Sequence, residues 1–268
     1  MNFSVNGHDT YCYTGGKTFD ATKPTVIFIH GVLNDHSVWI LQTRYLAHHG
    51  YNVLAVDLPG HCRSAGAPPA SVEEAADFVI ALMAVAGLAK AALVGHSFGS
   101  LVALEAAARA GAQVSHLVLV GTAFPMKVSP VLLERSLSQP LGAIDMVNTF
   151  SHSTLAPPPS ALGPGSWLYG GARALMRRVL ASNPAVNLFH AGFRACDDYR
   201  NASVAMAQVQ APTLFILGRH DQMTPAKAAQ SLINQAAQAQ VVQLDGGHQL
   251  MTETPDAVLF AIRDFLRR

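Results

Sequence analysis

The chain has 268 residues, half of them apolar and only 13% charged. That length suits one large α/β domain or two small ones, and the apolar fraction supplies a sizeable core and argues against an intrinsically disordered chain. A formal net charge of +1 gives no electrostatic reason to expect nucleic acid or an acidic membrane surface as a partner.

Cys12, Cys62 and Cys196 are odd in number, widely spaced and free of metal-ligand clustering. They read as reduced thiols of a cytoplasmic protein, not as a disulfide framework. The opening Met1-Asn2-Phe3-Ser4-Val5-Asn6-Gly7 lacks the basic-then-apolar form of a signal peptide. Phe78 to Gly95 is the most apolar stretch, but Gly87 and Lys90 split it into a helix and a buried strand, so no membrane span is expected.

In chain order, Phe3-Ser4-Val5 and Thr10-Tyr11-Cys12-Tyr13 flank Asn6-Gly7, a hairpin signal. Thr25-Val26-Ile27-Phe28-Ile29 is a β-branched run buried on both faces, ending at His30-Gly31. A helix is expected from Val38 to His49, then a buried strand over Asn52 to Val56 ending in Asp57-Leu58-Pro59-Gly60-His61. Ser71 and Glu74 form a capping-box signature at the head of the next helix. Ala91 to Gly95 is a strand that turns through His96-Ser97-Phe98-Gly99 into a further helix, and His116 to Val120 repeats the strand pattern.

The alternation then lapses. From Thr122 to about Val209 only helix-like segments occur, at Pro130–Gln139, Leu141–Phe150, Arg173–Ala181 and Ala185–Ala195, interrupted by Pro157-Pro158-Pro159 and Gly163-Pro164-Gly165. Strand patterns resume at Pro212–Leu217 and Val241–Leu244, followed by helical segments at Pro225–Gln238 and Pro255–Arg267. The expected fold is α/β: a mostly parallel doubly wound sheet with an N-terminal antiparallel hairpin and an inserted helical cap. The expected division is a core of residues 1–121 and 210–268 and a cap of residues 122–209.

In Gly95-His96-Ser97-Phe98-Gly99 a strand turns sharply into a helix and leaves a serine exposed on the corner. Four further signals stand at strand ends: His30-Gly31 with Trp39 downstream, Asp57 to His61, Gly218-Arg219-His220-Asp221, and Gly246-Gly247-His248. Together these resemble the α/β-hydrolase superfamily, in its serine-nucleophile, capped, carboxylesterase-like branch, over nearly the whole chain except the cap. The resemblance implies a triad in the order Ser97, Asp221, His248, with Ser97 attacking, His248 shuttling the proton and Asp221 orienting the imidazole. It also implies an oxyanion hole of backbone N–H groups from Val32 and Phe98, with Leu33 the near alternative. Asn34 could also donate to the oxyanion from its side chain but is expected mainly to cap its loop, His30 to hold that loop, and His96 to take no part in proton transfer. Asp245, near His248 in sequence, competes with Asp221 but is expected to end its strand. Cys62 stands where the family often has a small glycine turn, and is read as a loop thiol.

The triad type serves several reactions. An apolar cap underside from Phe150, Trp167, Leu168, Tyr169, Met176, Phe189 and Phe193 points to a small-molecule carboxylic ester of small to medium apolar character. The alternatives are a C–C bond hydrolase acting on a vinylogous diketone, a thioesterase or carrier-linked esterase, and a non-catalytic binder. A cap arginine engaging substrate would favour the C–C reading; Arg173 and Arg177, four apart on one helical face, are expected to line a solvated face, the alternative being a docking surface for an acidic carrier or an anionic substrate. No metal or organic cofactor is implied, and no nucleic acid. Activity is expected to rise with pH through the histidine titration range.

Overall fold

The computed structural model describes residues 1–153 and 167–268; the expected Pro157 and Gly163 interruptions lie outside the described residues. β1 (Asn2–Val5) and β2 (His8–Tyr13) pair antiparallel across Asn6 and Gly7. Both turn residues have positive φ, at 50° and 81°, the backbone a tight hairpin turn demands. β3 (Thr25–Ile29), β4 (Asn52–Val56), β5 (Ala91–His96), β6 (Val114–Val120), β7 (Thr213–Gly218) and β8 (Ala239–Leu244) follow. One eight-stranded sheet runs β1-β2-β4-β3-β5-β6-β7-β8, parallel from β4 onward.

Successive residues of β3 feed opposite layers, which is why the strand reads as continuously apolar. Val26 and Phe28 pack with Trp39, Leu46, Val258 and Ile262, under α1 (Ile40–His48) and α11 (Pro255–Leu266). Ile27 and Ile29 pack with Val79, Leu82, Leu101 and Leu104, under α2 (Val72–Val85) and α3 (Phe98–Ala110). The Ser71 hydroxyl caps α2 by accepting from Glu74 N–H. The Glu74 carboxylate reaches back to Ala70 N–H, not to that of Ser71.

Between β6 and β7 lie α4 (Pro130–Ser138), α5 (Pro140–Ser151), α6 (Leu168–Ala181), α7 (Leu188–Asp198) and α8 (Ala202–Gln208). Helices α4 to α7 build a separate apolar cluster of Leu132, Ile144, Val147, Met176, Val179 and Phe189, which Leu33 joins from the loop after β3. α8 was not expected; its Ala202, Ala205 and Met206 pack into the layer that holds α3.

Several expected boundaries move: α6 begins at Leu168 and not Arg173, α7 spans Leu188–Asp198 and not Ala185–Ala195, and β8 begins at Ala239 and not Val241. The helix expected from Val38 begins as a 3-10 turn over His36–Trp39. The helix expected to reach Gln238 is a 3-10 turn followed by α9 (Gln230–Gln235). It stops early because the Gln238 carbonyl accepts from Thr213 N–H at 2.9 Å, and β8 is already paired to β7 at Ala239. A short α10 (Leu250–Glu253) precedes α11. Among the described residues no helix is long and apolar enough to cross a membrane, and the three cysteines are unpaired.

Candidate active site

The chain order reverses between β3 and β5, which are neighbours with Ile29 opposite Gly95. Their carboxyl ends therefore open a crevice, the place where α/β sheets bind ligands. Ser97 sits at that edge with φ 52° and ψ −120°, a conformation an L-residue holds at a cost of about 1–3 kcal/mol. The surroundings enforce it. Ser97 N–H donates to Val120 O at 2.9 Å, and Ser97 O accepts from Ser100 N–H at 2.8 Å. A Cβ at Gly95 would overlap the Gly99 carbonyl, and one at Gly99 would overlap the Ile29 and His30 carbonyls. The two glycines thus let helix α3 start hard against two strands.

Asp221 follows β7 and is 5% exposed; His248 follows β8 and is also 5% exposed. His248 Nδ1–H donates to Asp221 Oδ2 at 2.8 Å, which leaves Nε2 as the basic nitrogen. Asp221 Oδ1 accepts from the N–H groups of Met223 and Thr224, at 2.8 and 2.7 Å. Burial opposes ionisation of Asp221, but His248 and the donors from Thr224 together hold its carboxyl below the ordinary carboxylate value. The Ser97 hydroxyl has no hydrogen-bond partner among the described residues, though Ser97 and His248 line one cavity.

Gly31 brings the loop after β3 against the serine: a Cβ there would lie 3.2 Å from Ser97 Cβ. The N–H groups of Val32 and Phe98 donate to no acceptor among the described residues, and the same holds for Leu33. Val32 faces the narrow space beside Ser97 and His248, whereas the Leu33 side chain is turned into the helical cluster. His30 donates from Nδ1 to Gly31 O at 2.9 Å and accepts at Nε2 from Leu58 N–H at 3.2 Å. It therefore ties this loop to the one after β4. His96 Nε2–H donates to His248 O at 2.9 Å. Burial and the adjacent His248 push the His96 imidazole down to about 3, so it stays neutral and supports the turn.

Asp245 pairs with His220 at 2.7 Å on the surface, not with His248. Cys62 packs beside Asp35 and Asp57; burial and both carboxylates push its thiol up to about 12. Asp35, His36 and Asp57 hold possible metal-ligand atoms within 4.8 Å of one another. Those oxygens are already engaged: Asp35 by Ser37 N–H and Arg178, Asp57 by His36 N–H.

Four residues that sequence patterns did not single out complete the surroundings. Thr224 Oγ lies 2.7 Å from Asp221 Oδ2, 3.0 Å from Gly121 O and 3.0 Å from His248 Nδ1. Its only local signal is the three-residue offset from Asp221, the spacing at which a carboxylate meets a backbone N–H. Gly121 has φ +56°, and a Cβ there would press on the His248 ring at 3.2 Å. Ser151, the last residue of α5, accepts from His248 N–H at 2.7 Å and from Gln249 N–H at 3.1 Å. The Glu253 carboxylate accepts from Gly247 N–H at 3.0 Å and Ser153 N–H at 2.9 Å, pinning the histidine turn to the end of α5.

The cavity beside Ser97 is about 270 Å³, and Met126, Val128, Leu132, Phe150, Phe193 and Met223 give it an apolar wall. Lys127 also lines it, but its Nζ is held by Asp197. Phe189 is fully buried in the helical cluster, and Trp167 is 61% exposed, stacked on Tyr169.

The chain is similar over its full length to two solved structures. They are the enol-lactonase from Burkholderia xenovorans LB400 (21% identity, TM-score 0.82, all of both chains covered) and an esterase from Exiguobacterium antarcticum (17% identity, TM-score 0.83, 100% of this chain and 99% of that one). These identities speak for the fold. In sequence it is 25% identical over 260 residues to a Haemophilus influenzae protein provisionally named an esterase/lipase, covering 91% of this chain and 84% of that one. The family described as alpha/beta hydrolase fold matches residues 24–255. With a parallel sheet reversing at β3 and β5 and a serine strained at its carboxyl edge, the chain is a hydrolase belonging to the alpha/beta hydrolase fold family.

Proposed function

We propose that the protein cleaves a carboxylic ester of a small to medium apolar substrate through an acyl-enzyme on Ser97. His248 Nε2 takes the Ser97 proton as Oγ bonds to the carbonyl carbon, and the negative charge moves to the carbonyl oxygen. Val32 and Phe98 N–H groups receive that oxyanion, each such donor being worth on the order of 3 kcal/mol in the transition state. His248 then hands its proton to the departing alkoxide. Water, deprotonated by the same nitrogen, releases the acid and restores Ser97. Asp221 keeps Nδ1 protonated throughout and stabilises the imidazolium.

The observation that carries the reading is the Asp221–His248 hydrogen bond at 2.8 Å in the wall of a cavity that Ser97 also lines. The apolar wall supports an alkyl or aryl ester. Arg173, Arg178 and Arg194 are paired with Asp145, Asp35 and Asp198, and no arginine lines that cavity. Both facts weigh against a substrate carboxylate, and so against the C–C bond alternative. Within this reading residues 122–209 act as a cap on a core of residues 1–121 and 210–268. The separate cluster of α4 to α7 supports a cap, but the packing of α8 against the α3 layer supports its end before Ala202 and not at residue 209.

The test is labelling with a fluorophosphonate probe alongside turnover of 4-nitrophenyl butyrate, both expected in the wild type and both lost in Ser97→Ala. A folded wild type that resists the probe would mean a binding protein. Turnover of a ring-cleavage dienol orders of magnitude faster than any ester would replace the ester reading.

A further inference from the structure

Two largely buried carboxamides beside the site, those of Asn34 and Gln249, open onto cavity space with no acceptor from the described residues. Asn34 and Gln249 are 3% and 4% exposed, and among the described residues neither side-chain NH₂ group donates a hydrogen bond. Both line the narrow space shared by Ser97 and His248. Both also line a second, larger space of about 380 Å³ on the side away from Met126 and Phe150. Its wall is apolar: Val38, Leu41, Trp167, Leu168, Leu175 and Met251. The Ser151 hydroxyl lines the narrow space too and is itself fully buried without a partner among the described residues.

We infer that Asn34 and Gln249 form a polar recognition point for a neutral acceptor oxygen on the substrate, between the scissile carbonyl and an apolar arm seated in this second space. The inference rests on the proposed esterase reading and narrows its substrate class. The substrate is an ester whose one arm fills the cavity at Met126 and Phe150. Its other arm carries a ketone, ether or further ester oxygen close to the cleaved bond and ends in an apolar chain. A neutral oxygen fits because no lysine or arginine lines either space among the described residues, so a carboxylate would lie there uncompensated. An amide NH₂ also discriminates well, since a substrate lacking the oxygen leaves the donor buried and unpaired.

Two series of esters test this. One is 4-nitrophenyl esters with a keto oxygen at successive positions of a heptanoyl chain; the other is butyrates with the oxygen at successive positions of a heptyl alcohol. Each is compared with its deoxygenated parent, after division by the rate ratio with hydroxide alone. Wild type is expected to prefer the oxygenated ester about tenfold in kcat/KM at one position of one arm. That preference is expected to fall to within twofold in Gln249→Met and in Asn34→Leu. Because both esters are measured on one preparation, partial loss of folded enzyme cancels, and either variant suffices if the other is unstable. Absence of any preferred position overturns the inference while leaving the esterase reading intact. So does an equal loss on both members of a pair, the result for an oxyanion donor or a structural amide. Failure to turn over any ester removes the esterase reading and this inference with it.

Discussion

Replacing Thr224 with valine keeps the shape of the side chain and removes only its hydroxyl. That hydroxyl has a single proton and two acceptors in reach, Asp221 Oδ2 at 2.7 Å and Gly121 O at 3.0 Å. Asp221 keeps its two backbone donors in the variant, so it stays ionised but loses a lateral tether. A hydrogen bond to a charged group contributes about 1.5–3 kcal/mol. Of that, about 1.4 kcal/mol lost from imidazolium stabilisation would lower kcat/KM roughly tenfold. The loss is expected in kcat with KM little changed, because under the proposed mechanism Asp221 and Thr224 act through His248 and not on the bound ester. Thr224→Ser restores the donor and is expected within about threefold of wild type. The assay is steady-state hydrolysis of 4-nitrophenyl butyrate beside thermal unfolding of each variant. A Thr224→Val enzyme within twofold of wild type in kcat would refute a positioning role for the hydroxyl.

Three other outcomes follow from the geometry. Gly95→Ala would drive a methyl into the Gly99 carbonyl and is expected to yield insoluble or largely unfolded protein; a soluble variant with an unchanged melting point would contradict the close approach. Asp35 is buried, yet donors from Ser37 and Arg178 hold its carboxyl down to about 2. Its stabilisation is therefore complete above the ordinary carboxylate range and fades as pH falls toward 2. Asp35→Asn is expected to cost on the order of 2 kcal/mol at pH 7, with a gap in urea midpoint that narrows below about pH 4; a gap independent of pH would be the wrong sign of result. Burial raises the thiols of Cys12, Cys62 and Cys196 well above neutrality. Iodoacetamide at pH 7.5 is accordingly expected to leave all three unmodified by mass spectrometry, and rapid alkylation of Cys62 would show that its loop opens.

What could be read from the chain was what is encoded within a few residues. Ser97, Asp221 and His248 each stand directly after a strand pattern, bracketed by glycines or turn residues, so their place at one edge of the sheet follows from alternation alone. The layers of the sheet were legible for the same reason. Thr224, Gly121 and Ser151 were not, because their value lies in contacts 24 to 127 residues away in sequence. Nothing in the Ala-rich segment Ala202-Ser203-Val204-Ala205-Met206-Ala207-Gln208 distinguishes a packed helix from a loop; only its seat against α3 does. Asn34 and Gln249 illustrate a further limit. A carboxamide in a loop usually caps a backbone, and only the cavity walls reveal that these two do not.

The carbonyl of Ser151 ends α5 and receives both His248 N–H and Gln249 N–H. A hinge placed at that end would drag the histidine with it. A displacement of the helical layer that leaves His248 in place would have to pivot about α5 and break the two hydrogen bonds by which Ser182 and Asn183 hold the loop at Gly60 and Cys62. The same bond restricts engineering. A lid transplanted from a relative to alter selectivity would need a helix terminus presenting its carbonyl at this point, or the chimera would inherit a displaced base along with its new pocket.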